Sequence, residues 1–245
     1  MSVRLSDPRP EAAELQTEGP TPSRVWGDQW LRVSEKVIKG LNHQLTNRVA
    51  SLEAVVTLMS DEEEVPDLQL MASLAQEVKR LNHLLQLYRL VPAEPFVTVE
   101  PVRLQDAVTQ VMELHGHHAD LRGIPIEVDR AVDTAPVRVR PSALLRSLLV
   151  LLESAAGNAL RAGGAGTLHV AYGGDQDAVW VSFEAPCPPG QLLFTGDGSL
   201  VGAVNSALAH AHGHATVELL RPDGADRIRY VVTLPTLAAS RREAN

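Results

Sequence analysis

Apolar residues set the first pattern in the chain. From about Trp26, the positions Val33, Val37, Leu41, Leu45, Leu52, Val56 and Met59 recur mostly at intervals of four or seven. That spacing is one apolar stripe along an amphipathic helix. The run "SDEEEVP" breaks it. Three glutamates and a proline suit an exposed turn, with Pro66 at the first position of a second helix. The second helix runs to about Leu90, with Leu70, Leu74, Val78, Leu81, Leu85 and Tyr88 on one stripe, and "VPAEP" ends it. Two helices joined by a short connection form an antiparallel hairpin. Such a hairpin has one apolar face and little of its own to bury it against. The expectation is that two hairpins pair across a dimer axis as a four-helix bundle, in preference to packing on the rest of the chain.

Beyond Pro95 the period shortens. "FVTVE" reads as a strand and "PVRLQDAVTQVMELHGHHAD" as a helix. "IPIEVD" and "APVRVR" read as two strands paired in a hairpin. "PSALLRSLLVLLESAAGNALRA" is a long, very apolar helix and is expected to be buried. "GTLHVAYG" and "AVWVSFEA" alternate as strands around the acidic turn "GDQD". "LVGAVNSALAHAHG" is a helix, and "ATVELLR" with "IRYVVTLP" forms a last hairpin. The second unit is therefore an α+β sandwich, an antiparallel-rich sheet with helices on one face. Residues 1–24, rich in Pro, Glu, Ser and Thr, read as a disordered tail. Residues 25–92 form the hairpin, 95–236 the sandwich, and 237–245 a loose end.

Composition narrows the chemistry. The 245 residues are 44% hydrophobic and 21% charged, which is ordinary globular usage. Aromatics are only 4%, so the core must be built from Leu, Val and Ala. A formal net charge of -8 argues against nucleic acid as a bulk partner. One cysteine, Cys187, excludes a disulfide framework and a multi-cysteine zinc site. No uninterrupted apolar run of about 18 residues and no signal-peptide h-region stand out, so a cytoplasmic protein without a membrane partner is expected.

The hairpin carries an internal histidine in "LNHQLTNRVAS". At about 100° per residue, His43 lies about 200° from Leu41 and points to solvent. Lys36, Lys39, Ala50 and Ala54 share its face. A nucleophilic imidazole needs access, its neutral form and nearby positive charge. Leu41 and Val49 are expected to pack within the bundle. His83, in "RLNHLL", is the rival position and reads as a solvated histidine. The clusters "HGHH" (His115, His117, His118) and "HAHGH" (His210, His212, His214) lack a partnering cysteine or carboxylate set at zinc spacing and are expected at the surface.

This order of elements, with a histidine inside the hairpin, resembles the core of bacterial sensor histidine kinases: a dimerisation and phosphotransfer hairpin followed by a Bergerat, or GHKL-like, ATP-binding domain. The family's phosphoacceptor motif is His, an acid, Leu, a polar residue, then Asn or Thr. Here it reads His43-Gln44-Leu45-Thr46-Asn47, with Gln44 in place of the acid.

The resemblance also implies a nucleotide site, and its pieces are uneven. The Mg²⁺-binding Asn on the long helix corresponds to Ser154 by one count and Asn158 by another. The adenine-reading Asp-x-Gly-x-Gly is replaced by "EAPCP", in which Glu184 keeps a carboxylate but Pro186 and Pro188 stand where glycines belong. The phosphate loop corresponds to "DGSLVG", with Gly198 and Gly202 out of the family's phase. The lid shrinks to "PGQLLFTGDG". If the site were active, Asn158, Glu184, Gly198 and Gly202 would hold ATP; with these losses ATP is not expected to bind. Gln44 agrees, because a glutamine cannot act as the general base that the kinases place after the histidine.

The combination resembles the ChpT-like histidine phosphotransferases, which are dimers built on a degenerate kinase core. The resemblance implies that His43 relays a phosphoryl group between receiver-domain aspartates, with Lys36 and Lys39 offsetting its charge and Asn47 orienting the partner. Receiver domains and a second copy of the chain are the implied partners. Any Mg²⁺ is brought by the receiver, and no cofactor of the chain's own is expected. Two other classes predict different outcomes: an active soluble kinase with a divergent ATP site, and a non-catalytic dimeric scaffold for response regulators.

Overall fold

The computed structural model describes residues 22–61, 68–91, 98–130, 133–163, 166–188, 195–221 and 225–243. Helix α1 (Pro22–Asp61) and helix α2 (Leu68–Leu90) make the antiparallel hairpin. Most of the expected N-terminal tail and the placement of Pro66 lie outside the described residues, while 22–24 already belong to α1.

The α/β part follows as β1 (Glu100–Val102), α3 (Leu104–His115), β2 (Ile126–Arg130), β3 (Val137–Val139) and α4 (Pro141–Arg161). Then come β4 (Leu168–Gly174), β5 (Ala178–Pro186), α5 (Thr195–Leu208), a single 3₁₀ turn (Ala209–Ala211), β6 (His214–Leu220), β7 (Arg227–Pro235) and α6 (Leu237–Glu243). The main sheet has the order β2-β4-β5-β7-β6, with β2–β4 parallel and the other pairs antiparallel. The fold is thus α+β, a helical hairpin followed by a mixed-sheet sandwich.

Four expectations are corrected. β2 and β3 do not form a hairpin: β2 pairs in parallel with β4, and β3 pairs with β1 in a separate two-stranded sheet. A parallel pair needs a crossover, and α4 supplies it. Pro101 and Val102 belong to β1, not to the helix after it, while Phe96 and Val97 of the expected strand lie outside the described residues. Helix α3 stops at His115, short of Asp120, and the chain turns through Gly116. The expected C-terminal loose end holds α6, whose first turn is capped by Thr236: the Ala239 N–H donates to Thr236 Oγ1 at 3.1 Å.

The core lies between the sheet and the helices. Val179, Val181, Phe183 and Ala185 of β5 alternate inward, as do Ile228, Tyr230, Val232 and Leu234 of β7. Val108 and Val111 of α3, Leu148 and Leu152 of α4, and Val204 and Leu208 of α5 cover them. By length and composition α4 could span a membrane, but 72% of its apolar window is buried inside the fold, the environment of a core helix.

The hairpin divides its apolar stripe between two environments. Val33, Val37 and Leu41 of α1, with Leu84 and Leu87 of α2, are buried in the common core, and α1 packs on α5 and α4. Each such burial is worth about 1.5–3 kcal/mol. Gly40 makes the closest approach: a Cβ there would lie 1.6 Å from the carbonyl oxygen of His117. The near half of the hairpin therefore does pack on the sandwich, contrary to the preference for the dimer alone. The far half keeps Val49, Val56, Met71 and Val78 between 42% and 51% exposed.

Candidate functional site

His43 follows Gly40 by less than one turn of α1, on the exposed side of the helix. Leu41 and Leu45 turn inward while Asn42, His43, Thr46 and Asn47 face out, as a helix with one apolar stripe dictates. Thr46 Oγ1 donates back to the Asn42 carbonyl at 2.9 Å, an ordinary use of an exposed helical threonine. Asn47 Nδ2 lies 3.4 Å from His43 Nε2. An amide nitrogen can only donate, so this pairing leaves the lone pair on Nε2 and the proton on Nδ1. The contact is long and exposed, so it orients the ring at small cost to its later engagement.

Lys39 lies one turn before His43 on the exposed surface. Lys36 is occupied elsewhere: its Nζ lies 2.7 Å from Asp120 Oδ2, in the turn that follows α3. It is also about 10 Å from His43 along the helix axis. Its charge is shared with a carboxylate distant in sequence. Ala50 and Ala54 are exposed as expected. Val49 is 45% exposed, while Leu41 is buried against the sandwich and not within the hairpin's own bundle face.

Gln44 is half-buried and lines a notch of about 360 Å³ with Arg48, Lys79, Arg80, His83 and His117. Arg48 Nη1 reaches Glu77 Oε2 at 3.1 Å and Arg80 Nη1 reaches Glu77 Oε1 at 2.6 Å, tying α1 to α2. Burial pushes the Glu77 carboxyl up, but the hydrogen bonds and charges of Arg80 and Arg48 outweigh it and hold the carboxyl below its ordinary value. His83 is exposed as expected, with Nε2 3.7 Å from Glu113 Oε2.

Asn158, Ser154 and Glu184, three of the residues matched to a nucleotide site, have partners within the protein. Asn158 is fully buried, donates to Tyr230 Oη at 3.3 Å and accepts from Arg161 at 2.8 Å. Ser154 Oγ shares the same tyrosine hydroxyl at 3.1 Å. Glu184 lies on the opposite side of β5 from the helices and pairs with Arg227 at 2.7 Å and Arg229 at 2.8 Å. The helix-facing positions beside it are Phe183 and Ala185. Burial raises the Glu184 pKa, but Arg229 and Arg227 outweigh it and lower it overall. Gly198 and Gly202 sit within α5 and not in a loop before it, and the remainder of the lid lies outside the described residues.

The histidine clusters depart from expectation. His115 and His118 are buried, not at the surface. His115 Nδ1 lies 2.8 Å from Glu153 Oε1, and His118 Nε2 lies 3.3 Å from Glu153 Oε2. No spacing pattern announces this, because Glu153 is on α4, far along the chain. His210 is half-buried: its Nδ1–H donates to the Ala207 carbonyl and its Nε2 accepts from the Arg140 N–H, each at 3.0 Å. His212 and His214 are exposed. Burial lowers the pKa values of His117, His118 and His210, with Glu153 opposing at His118. Among the described residues no group of three or more His, Cys, Asp or Glu side chains could hold a metal ion.

No family model matches the chain, and no curated protein sequence matches it. Among solved structures it is similar to the Acinetobacter baumannii histidine kinase AdeS, at 18% identity over 80% of this chain and 98% of that one, with a TM-score of 0.43. It is also similar to a histidine kinase from Burkholderia phymatum STM815, at 13% identity over 84% and 98%, TM-score 0.45. A third similar structure is described as a bacterial phosphotransferase, at 13% identity over 82% and 96%, TM-score 0.37. All three scores lie below 0.5, so the fold assignment rests on the chain's own topology.

Proposed function

We propose that the chain is a histidine phosphotransfer protein of a two-component phosphorelay, with His43 as the phosphoacceptor and receiver domains as donor and acceptor. The observation that carries this reading is the state of His43: exposed on α1, with Asn47 holding Nε2 as the lone-pair nitrogen. In the proposed step Nε2 attacks the phosphorus of a receiver's aspartyl phosphate. An N–P bond forms as the P–O bond breaks, and the electron pair leaves with the carboxylate. Lys39 offsets charge on the transferred group, and Asn47 swings from the ring to the incoming partner. Gln44 is compatible because the donor is already activated and needs no general base.

A relay and not an ATP-dependent kinase is favoured by three placements: Asn158 committed to Tyr230 and Arg161, Glu184 turned away from the helices, and α1 packed against both α4 and α5. The sandwich then serves as a wall against which a receiver docks, in a cytoplasmic setting. The exposed Val49 and Val56 on α1, with Met71, Val78 and Leu85 on α2, support pairing of two hairpins in a homodimer.

One assay separates the classes. The protein is incubated with labelled Mg-ATP alone, then with a labelled phospho-receiver, beside a His43→Ala variant. The relay predicts label from the receiver only, and none in the variant. Label from ATP alone would identify a kinase. An absence of label from either donor, with receiver binding kept in His43→Ala, would identify a scaffold.

A further inference from the structure

Besides its packing on α5 and α4, α1 is held by the turn after α3, and that turn is organised around His118. Its side chain is 5% exposed. His118 Nδ1 accepts two backbone hydrogen bonds, from Asp120 N–H at 3.2 Å and Leu121 N–H at 3.1 Å. Since Nδ1 accepts, the neutral ring carries its proton on Nε2, which faces Glu153. A second proton has only Nδ1 to go to. There it confronts two N–H groups, and both lose their acceptor.

The same turn holds α1 in two ways. Asp120 grips Lys36, and the His117 carbonyl lies against Gly40. The charged and titratable groups facing His118 are His115 on α3, Glu153 and Arg161 on α4, Asp120 on the turn, and Arg32 and Lys36 on α1. Several of them line a cavity of about 290 Å³ that also reaches α1. Glu153 favours the imidazolium and makes it attainable, while the turn cannot keep its hydrogen bonds once it forms.

We propose that this turn is an acid-sensitive latch: protonation of His118 at Nδ1 unmakes the turn, releases Asp120 from Lys36, and loosens the seat of α1 at Gly40 while its packing on α4 and α5 remains. His43 lies three residues beyond Gly40 on the same helix, so the latch controls how its imidazole is presented. The inference rests on the packing of α1 and holds whether or not His43 accepts phosphate.

Trp30 reports the latch, because it packs against the core beneath the Arg146 guanidinium, 4.8 Å from the ring centroid. In the 245-residue chain with Trp26→Phe and Trp180→Phe it is the only indole. Its emission is expected to shift to the red between about pH 7.5 and about pH 5, with far-ultraviolet circular dichroism unchanged. His118→Asn offers an amide oxygen near the Nδ1 position and does not titrate, so its emission should stay flat. A flat parent, an equal shift in His118→Asn, or loss of helicity in step with the shift would overturn the proposal. A second measurement keeps the question decidable if His118→Asn does not fold. In ¹⁵N-histidine-labelled protein with its histidines intact, the His118 ring must gain its second proton at the midpoint of the Trp30 shift, and separate midpoints overturn the latch.

Discussion

His43 is distinguished from the other histidines by what surrounds each ring. His115 and His118 are closed in around Glu153, His210 is held between two backbone groups, and His83 is drawn toward Glu113. His43 alone stands exposed beside a neutral amide donor on its own helix. Asn47 thereby sets the tautomer, and this is testable. Asn47→Asp substitutes an acceptor, which favours a proton on Nε2 and blocks attack. It should slow receiver-to-His43 transfer by about tenfold, or about 1.4 kcal/mol of barrier, while Asn47→Ala has a smaller effect. Single-turnover label transfer measures both. The exposure of His43 was legible in the sequence, because angular position on a strongly striped helix decides it. The commitment of Lys36 and the burial of His118 were not, because Asp120 and Glu153 approach only through the tertiary fold.

The elements most readable from the sequence were those closed locally. The β4–β5 and β6–β7 hairpins each combine alternation with a short polar turn, and the two helices of the hairpin carry stripes of one period. The pairing of β2 was not readable: parallel neighbours are joined through a crossover, and no local signal names the partner. The seat of α1 was hidden for the same reason, although Gly40 marks it. Gly40→Ala places a methyl group against backbone and should cost about 1–3 kcal/mol. Gly202, in α5, has open space where a Cβ would go, so Gly202→Ala should be neutral or stabilise by about 0.4–1 kcal/mol. Urea unfolding of the two variants beside the parent measures the contrast.

At the scale of the whole molecule, three imidazoles, the buried His118 and the half-buried His117 and His210, have folded pKa values below their unfolded ones. The unfolded chain therefore binds more protons between those lowered values and about 6.5, and stability rises with pH across that window. Their contribution is fully present above the unfolded value and is lost as pH falls through it toward the folded ones. Urea midpoints should accordingly be lower at about pH 5.5 than at about pH 7.5. The exposed stripe on the far half of the hairpin predicts a dimer in sedimentation analysis, and charges at Val56 and Val78 together should yield monomers that remain helical. Above these stands the claim that one imidazole takes phosphate from a protein donor. It is tested most directly by incubating the intact chain with a phosphorylated receiver, digesting it at neutral to alkaline pH to preserve phosphohistidine, and locating the added phosphoryl group by tandem mass spectrometry. The account predicts the modification on His43 and none there after Mg-ATP alone. A phosphoryl group on His83, or one on His43 acquired from ATP without a receiver, would contradict it.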